Sequence, residues 1–155
     1  MPDELTEVLE SFKAIKEVCL RYLMRREHSY QELLDKVATK GFNRQDITLV
    51  VDQLAEQGLQ SDARFAESYA RSRVHKGFGP LRIKAELRQR GVSDCCFEMA
   101  VEDIAGSWQE LLQQVYEKKY TGGEPISQKE WLKRSRFLQQ RGFSHEMVRA
   151  LLNKQ

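Results

Sequence analysis

The chain has 155 residues, 41% of them hydrophobic and 31% charged, and a net charge of only +2. That is enough for one ordinary core or a few small ones, and a balance so near neutrality by itself selects no class of partner. Its short, charge-interrupted apolar runs exclude a membrane span, and Asp3 and Glu4 stand where a secretory leader would be basic, so a soluble cytoplasmic protein is expected. Three cysteines, Cys19, Cys95 and Cys96, give no disulfide framework and fit a reducing compartment.

In chain order, Val8, Phe12, Ile15, Cys19 and Tyr22 recur at steps of three and four and predict a long amphipathic helix from about Asp3. Ser29-Tyr30-Gln31-Glu32 reads as a capping box that starts a second helix, ending at Gly41. Asn43 caps a third, with Ile47, Val50, Val51 and Leu54 inward and Gly58 at its end. The next helix is capped by Asp62 and turns Phe65, Ala66, Tyr69 and Ala70 inward as far as Gly77. Gly79-Pro80 opens another, with Ile83 and Leu87 inward, because proline at the first helical position loses no hydrogen bond. Ser93 caps a helix bearing Phe97, Ala100, Val101 and Ile104. Ser107-Trp108-Gln109-Glu110 and Ser127-Gln128-Lys129-Glu130 are two further capping boxes. Their helices bury Trp108, Leu111, Leu112 and Val115, then Trp131, Ser135 and Leu138, and the last helix buries Met147, Leu151 and Leu152. Thr121-Gly122-Gly123-Glu124-Pro125 is a turn-rich connection. No segment alternates with period two, so no sheet is expected.

These helices come in threes. Lys40-Gly41-Phe42-Asn43, Arg90-Gly91-Val92-Ser93 and Arg141-Gly142-Phe143-Ser144 share one pattern, with glycines 50 and 51 residues apart. Val37, Leu87 and Leu138 precede the three glycines by four positions, and Ile47, Phe97 and Val148 follow them by six. A repeat of this length implies stacked supersecondary units that bury their apolar faces on one another. The expected fold is all-α: three tandem three-helix repeats at 1–60, 61–106 and 107–155, the first with an extended N-terminal helix, in an elongated, curved array.

Catalysis has little to stand on. His28, His75 and His145 lie far apart, none in a metal-ligand spacing, and no cofactor is expected. Lys76-Gly77-Phe78-Gly79 lacks the spacing and preceding strand of a phosphate loop and reads as a helix stop followed by a helix start.

Charge distribution says more. Residues 1–63 carry 8 Lys/Arg against 12 Asp/Glu, residues 64–92 carry 8 against 2, and residues 93–155 carry 9 against 9. The middle repeat is thus a basic block, suited to a polyanionic or acidic partner or else a solvated helical face. Arg64, Arg71 and His75 share one helical face, with Arg73 and Lys76 beside it. On the next helix Lys84 and Arg88 pair at i, i+4, while Arg82 and Arg90 flank Glu86, which can neutralise only one of them. Phe78, between two glycines, is either an exposed aromatic for a partner or a plug over the bundle end. The candidate binding residues are therefore Arg64, Arg71, Arg73, Lys76, Phe78, Arg82, Lys84, Arg88 and Arg90.

The run Gly58-Leu59, Asp62-Ala63-Arg64-Phe65, Lys76-Gly77-Phe78-Gly79, Arg82-Ile83, Glu86-Leu87 and Arg90-Gly91-Val92 resembles the central signature of the RecX regulatory proteins. Lys118-Lys119-Tyr120 and Arg136-Phe137-Leu138, leading into Arg141-Gly142-Phe143-Ser144, resemble that family too. The likeness spans roughly 14–153, and Gln60-Ser61 departs from the family's usual Leu-Asp. The resemblance implies tandem three-helix repeats and a non-enzymatic modulator of the RecA recombinase. It implies binding to the RecA filament on single-stranded DNA, and inhibition of ATP hydrolysis, strand exchange and co-protease activity. Single-stranded DNA, and more weakly duplex DNA, are expected partners of a monomeric protein. The alternative is a helix-turn-helix DNA reader, for which the third helices of the units begin poorly: Arg44-Gln45-Asp46, Asp94-Cys95-Cys96 and His145-Glu146-Met147.

Overall fold

A computed structural model describes residues 3–103, 107–122 and 125–154. Among these residues the chain is all-helical and has no strand. The first unit comprises α1 (Glu4–Arg25), α2 (Tyr30–Ala38) and α3 (Arg44–Glu56). The second comprises α4 (Asp62–His75), α5 (Pro80–Gln89) and α6 (Asp94–Val101), and the third α7 (Trp108–Lys119), α8 (Gln128–Gln140) and α9 (His145–Leu152). Ile104 of the expected core, and Gly123 and Glu124 of the turn-rich connection, lie outside the described residues.

Polar caps set the helix starts. Ser29 closes a full capping box, its hydroxyl accepting from the Glu32 amide at 3.0 Å while the Glu32 carboxylate accepts from the Ser29 amide at 3.1 Å. At Ser107 and Ser127 only the serine half forms, and Glu130 turns its carboxylate to Arg134 instead. The cap of α4 is Ser61, not Asp62. Asp62 stands one position inside the helix, and its carboxylate accepts from the Tyr30 amide of the first unit at 2.8 Å. A contact 32 residues away thus claims the side chain that local pattern assigned to the cap.

Repeat-related positions line the interiors. Val37, Leu87 and Leu138 are fully buried, and Ile47, Phe97 and Val148 lie beneath them in their respective units. Val92 and Phe143, the apolar residues after the second and third glycines, are buried too. Contrary to the expectation of units sharing apolar faces, the buried residues form three separate clusters, one per unit. Three helices suffice to enclose a small core, and the joints combine polar contacts with a few half-buried apolar ones, Trp108 of α7 packing on the second cluster. Val8, expected inward, is 47% exposed with Leu5 and Leu9, because the 22-residue α1 outruns the 13-residue α3 on which it packs.

The two joints repeat as the units do. At the first, the Ser29 hydroxyl donates to the Arg90 carbonyl at 2.8 Å. Repeat-related positions meet at the second, where the Gly79 amide donates to the Arg141 carbonyl at 2.7 Å and the Leu81 amide to that of Gly142 at 3.0 Å. The glycines of the repeat are therefore seams as well as helix stops. Gly142 has φ of 104°, and a Cβ there would lie 2.5 Å from the Arg82 Cβ. Gly91, at φ 77°, faces Gln31 of the first unit just as closely.

Candidate partner-binding surface

The nine candidate residues divide by what the fold does with them. Arg73, near the end of α4, reaches α5 and grips Glu86 through two bonds of 2.9 Å. Its guanidinium also lies 3.8 Å from the centroid of Phe78. Glu86 thus spends its strongest bonds on a residue 13 positions away, and Arg82 is left 3.7 Å from it. Arg90 donates to the Glu86 carbonyl and stacks over Tyr69 at 4.6 Å. Adjacency of α4 and α5 decides this pairing, where sequence spacing had offered only Arg82 and Arg90.

Phe78 is half-buried at the second joint, with Arg73, Arg82 and Arg141 at 3.8, 4.3 and 4.8 Å from its ring centroid. Its faces are taken by the protein's own cations, the geometry of the plug. Arg82 also donates to the Gln140 carbonyl of the third unit at 3.1 Å. Arg64 performs the matching task at the first joint, donating to Glu27 at 3.1 Å and to the Gly58 carbonyl at 2.7 Å. Gln60, buried there, bonds the His28 carbonyl and Asp62.

Of the remaining four cations, Arg71, Lys76 and Arg88 face outward and Lys84 is half-buried. Arg71 bonds only Glu67, one turn back, at 2.8 Å, and its side chain is 67% exposed. Arg88 holds Asp94 through two bonds of 2.7 Å, which keep the aspartate carboxyl below its ordinary range, and Lys84 lies 4.0 Å from the same group. Lys76, at the end of α4, is exposed and has no ion pair among the described residues. Exposed pairs of this kind contribute about 0–1 kcal/mol and are readily exchanged for a partner's anion. Arg71, Lys76 and Arg88, with Lys84 half-buried beside Arg88, are thus the part of the basic block best placed to meet another molecule.

Sequence reasoning passed over cations of the third unit that gather around Lys76. Lys118 and Lys119 end α7, and Arg141 reaches back to donate to the Lys76 carbonyl at 3.0 Å. The signal was present in the repeat: Arg141 occupies the same position before glycine as Arg90, and both reach across their own joint or toward it. As a DNA reader the fold is poorly furnished, since Asp94 at the first turn of α6 would face phosphate and is held by Arg88. No group of three or more His, Cys, Asp or Glu placed to hold a metal occurs among the described residues, and no helix among them is long and apolar enough to cross a membrane. Cys19 is buried, which pushes its thiol up to about 11, while Cys95 and Cys96 are free thiols nearer the surface.

Comparison with known proteins agrees with this architecture unit by unit. Residues 16–54, 61–101 and 108–152 match the first, second and third three-helix domains of RecX. The chain is 40% identical over 146 residues to regulatory protein RecX of Halorhodospira halophila, covering 94% of this chain and 91% of that one. With its counterpart in Pseudomonas tolaasii it shares 38% over 149 residues, 96% of each. Among solved structures, RecX from Lactobacillus salivarius superposes with a TM-score of 0.75 at 20% identity, over 94% of this chain and 97% of that one. A second, titled regulatory protein RecX, gives 0.82 at 20% identity over 100% and 81%; both likenesses concern the fold. With all three units matched in order and relatives aligned along nearly its whole length, the chain belongs to the RecX family of regulatory proteins.

Proposed function

We propose that this protein is a non-enzymatic, cytoplasmic regulator that binds the RecA filament on single-stranded DNA and inhibits its ATPase, strand-exchange and co-protease activities. Family membership supports the regulatory role, and RecA as its target is what the resemblance of the central signature implies. The single observation that carries the physical side is the split of the basic block. Arg64, Arg82 and Phe78 sit at the joints and Arg73 and Arg90 are tied to Glu86 within the second unit, whereas Arg71, Lys76 and Arg88, with the half-buried Lys84 beside Asp94, turn positive charge outward. Such a surface suits acidic protein or DNA phosphate, and several contacts spread over linked units reinforce one another through effective concentration.

The assay is RecA ATP hydrolysis on single-stranded DNA with the full chain added at stoichiometric concentration. Hydrolysis should fall with added protein. An unchanged rate rules the reading out.

A further inference from the structure

A groove of about 690 Å³ runs between the second and third units. Its rim carries His75 and Lys76 from the end of α4, Lys118 and Lys119 from the last turn of α7, and Arg141; no Asp or Glu lines it. Cations in a last helical turn offset the helix dipole, which accounts for one or two of them at about 0.3–1 kcal/mol each. It does not account for five basic side chains gathered from two units around one groove, of which Lys76 and Lys118 have no ion pair among the described residues.

The floor is aliphatic. Val74, Leu111 and Val115 line it, each half-buried. Gly77 lets α7 come this close, since a Cβ on it would stand 3.1 Å from a Val115 methyl. The walls are held at fixed separation by the bonds of the second joint, the Gly79 amide to the Arg141 carbonyl and the Arg141 guanidinium to the Lys76 carbonyl. A groove built in advance avoids part of the ordering cost of binding.

We propose that this groove receives an acidic protein segment bearing an aliphatic anchor, with the anchor on Val74, Leu111 and Val115 and the carboxylates on Lys76, Lys118 and Arg141. Charge complementarity selects an anion, and the floor selects a peptide over a nucleic acid. Single-stranded nucleic acid needs open aromatic faces on which bases stack. Phe137 is the aromatic lining residue, and its ring already carries the Lys119 ammonium at 3.6 Å and the Arg141 guanidinium at 5.4 Å from its centroid. An aliphatic floor between cations is the counterpart of an amphipathic acidic segment. The identity of the protein that supplies the segment rests on the RecA reading above.

The test places p-benzoylphenylalanine at Gln114, an exposed lining residue, and irradiates the full chain on RecA filaments assembled on single-stranded DNA. Filament binding is measured in parallel for wild type and for a Lys76→Glu/Lys118→Glu variant, whose fold is checked by its melting temperature. The expected adduct maps to an acidic, aliphatic-containing stretch of RecA, and the double variant binds filaments at least tenfold more weakly with unchanged melting. An adduct on the DNA strand, no adduct while binding persists, or undiminished binding by the double variant overturns the groove proposal alone. Absence of filament binding by wild type takes down the RecA reading and the groove proposal with it.

Discussion

Gly41 and Gly142 occupy equivalent places in the repeat, and both have positive φ, 91° and 104°. They differ in surroundings. Nothing lies within 4 Å of a Cβ built on Gly41, while one on Gly142 would collide with Arg82 and approach the Gly79 carbonyl at 2.9 Å. Gly41→Ala should therefore cost only the left-handed backbone penalty, about 1–2 kcal/mol. Gly142→Ala should cost at least twice as much by urea unfolding, because the joint must open as well; equal costs would show that the seam carries no strain. His28 makes a second prediction. It is buried, its Nδ1–H donates to the Arg26 carbonyl at 3.0 Å, and its Nε2 accepts from the Lys36 ammonium at 2.9 Å. Burial foremost, with Arg26 and Lys36 beside it, lowers its pKa from the ordinary 6.5, against the Arg26 carbonyl bond and Glu32, which raise it. The unfolded chain then takes up the proton first, so stability is full above about pH 6.5 and declines as pH falls toward the folded pKa. The wild-type urea midpoint should drop between about pH 7.5 and pH 5.5, and that of His28→Gln should drop less. Glu32 acts in a lower window. Burial pushes its carboxyl up but its bonds to Arg26 and Ser29 outweigh that, so its contribution is lost only as pH falls below about 4.5.

At the scale of the element, the helices were legible because their determinants are local: apolar spacing, serine and asparagine caps, proline at the start of α5 and glycine at the stops. What escaped were side chains with two possible employers. Asp62 left its capping role for the Tyr30 amide, Glu86 chose Arg73 over its helix neighbours, and Glu130 chose Arg134 over its own cap. Each choice is made by an element packed alongside, or by a rotamer that spacing does not determine. Ser29 shows how a cap and a joint can share one atom. Its hydroxyl accepts from Glu32 within α2 and donates to Arg90 across the joint. Ser144 only caps α9, so Ser144→Ala should cost about 1 kcal/mol. Ser29→Ala should cost about 2–3 kcal/mol, since it also leaves the Arg90 carbonyl without this donor in a part-buried setting. Thermal unfolding of the two variants checks the difference, and equal losses would mean that the bond across the joint is dispensable.

For the whole molecule, the repeat announced three units, and their number and order followed from it. How they join did not, because the joints are made by backbone carbonyls and guanidiniums whose partners lie roughly a full repeat away. The same distance hid part of the candidate surface. A basic block was legible as a run of residues, but four of its eight cations are engaged inside the molecule, two at the joints and two against Glu86, and the cations that gather beside Lys76 come from α7 and the α8–α9 turn. Stability and binding are thus separable within one charged stretch. Its most direct test is RecA ATP hydrolysis on single-stranded DNA, comparing wild type with a variant in which Arg71, Lys76, Lys84 and Arg88 are all changed to glutamate. The variant should melt like wild type and lose most of its inhibition; inhibition as strong as that of wild type would place the binding elsewhere.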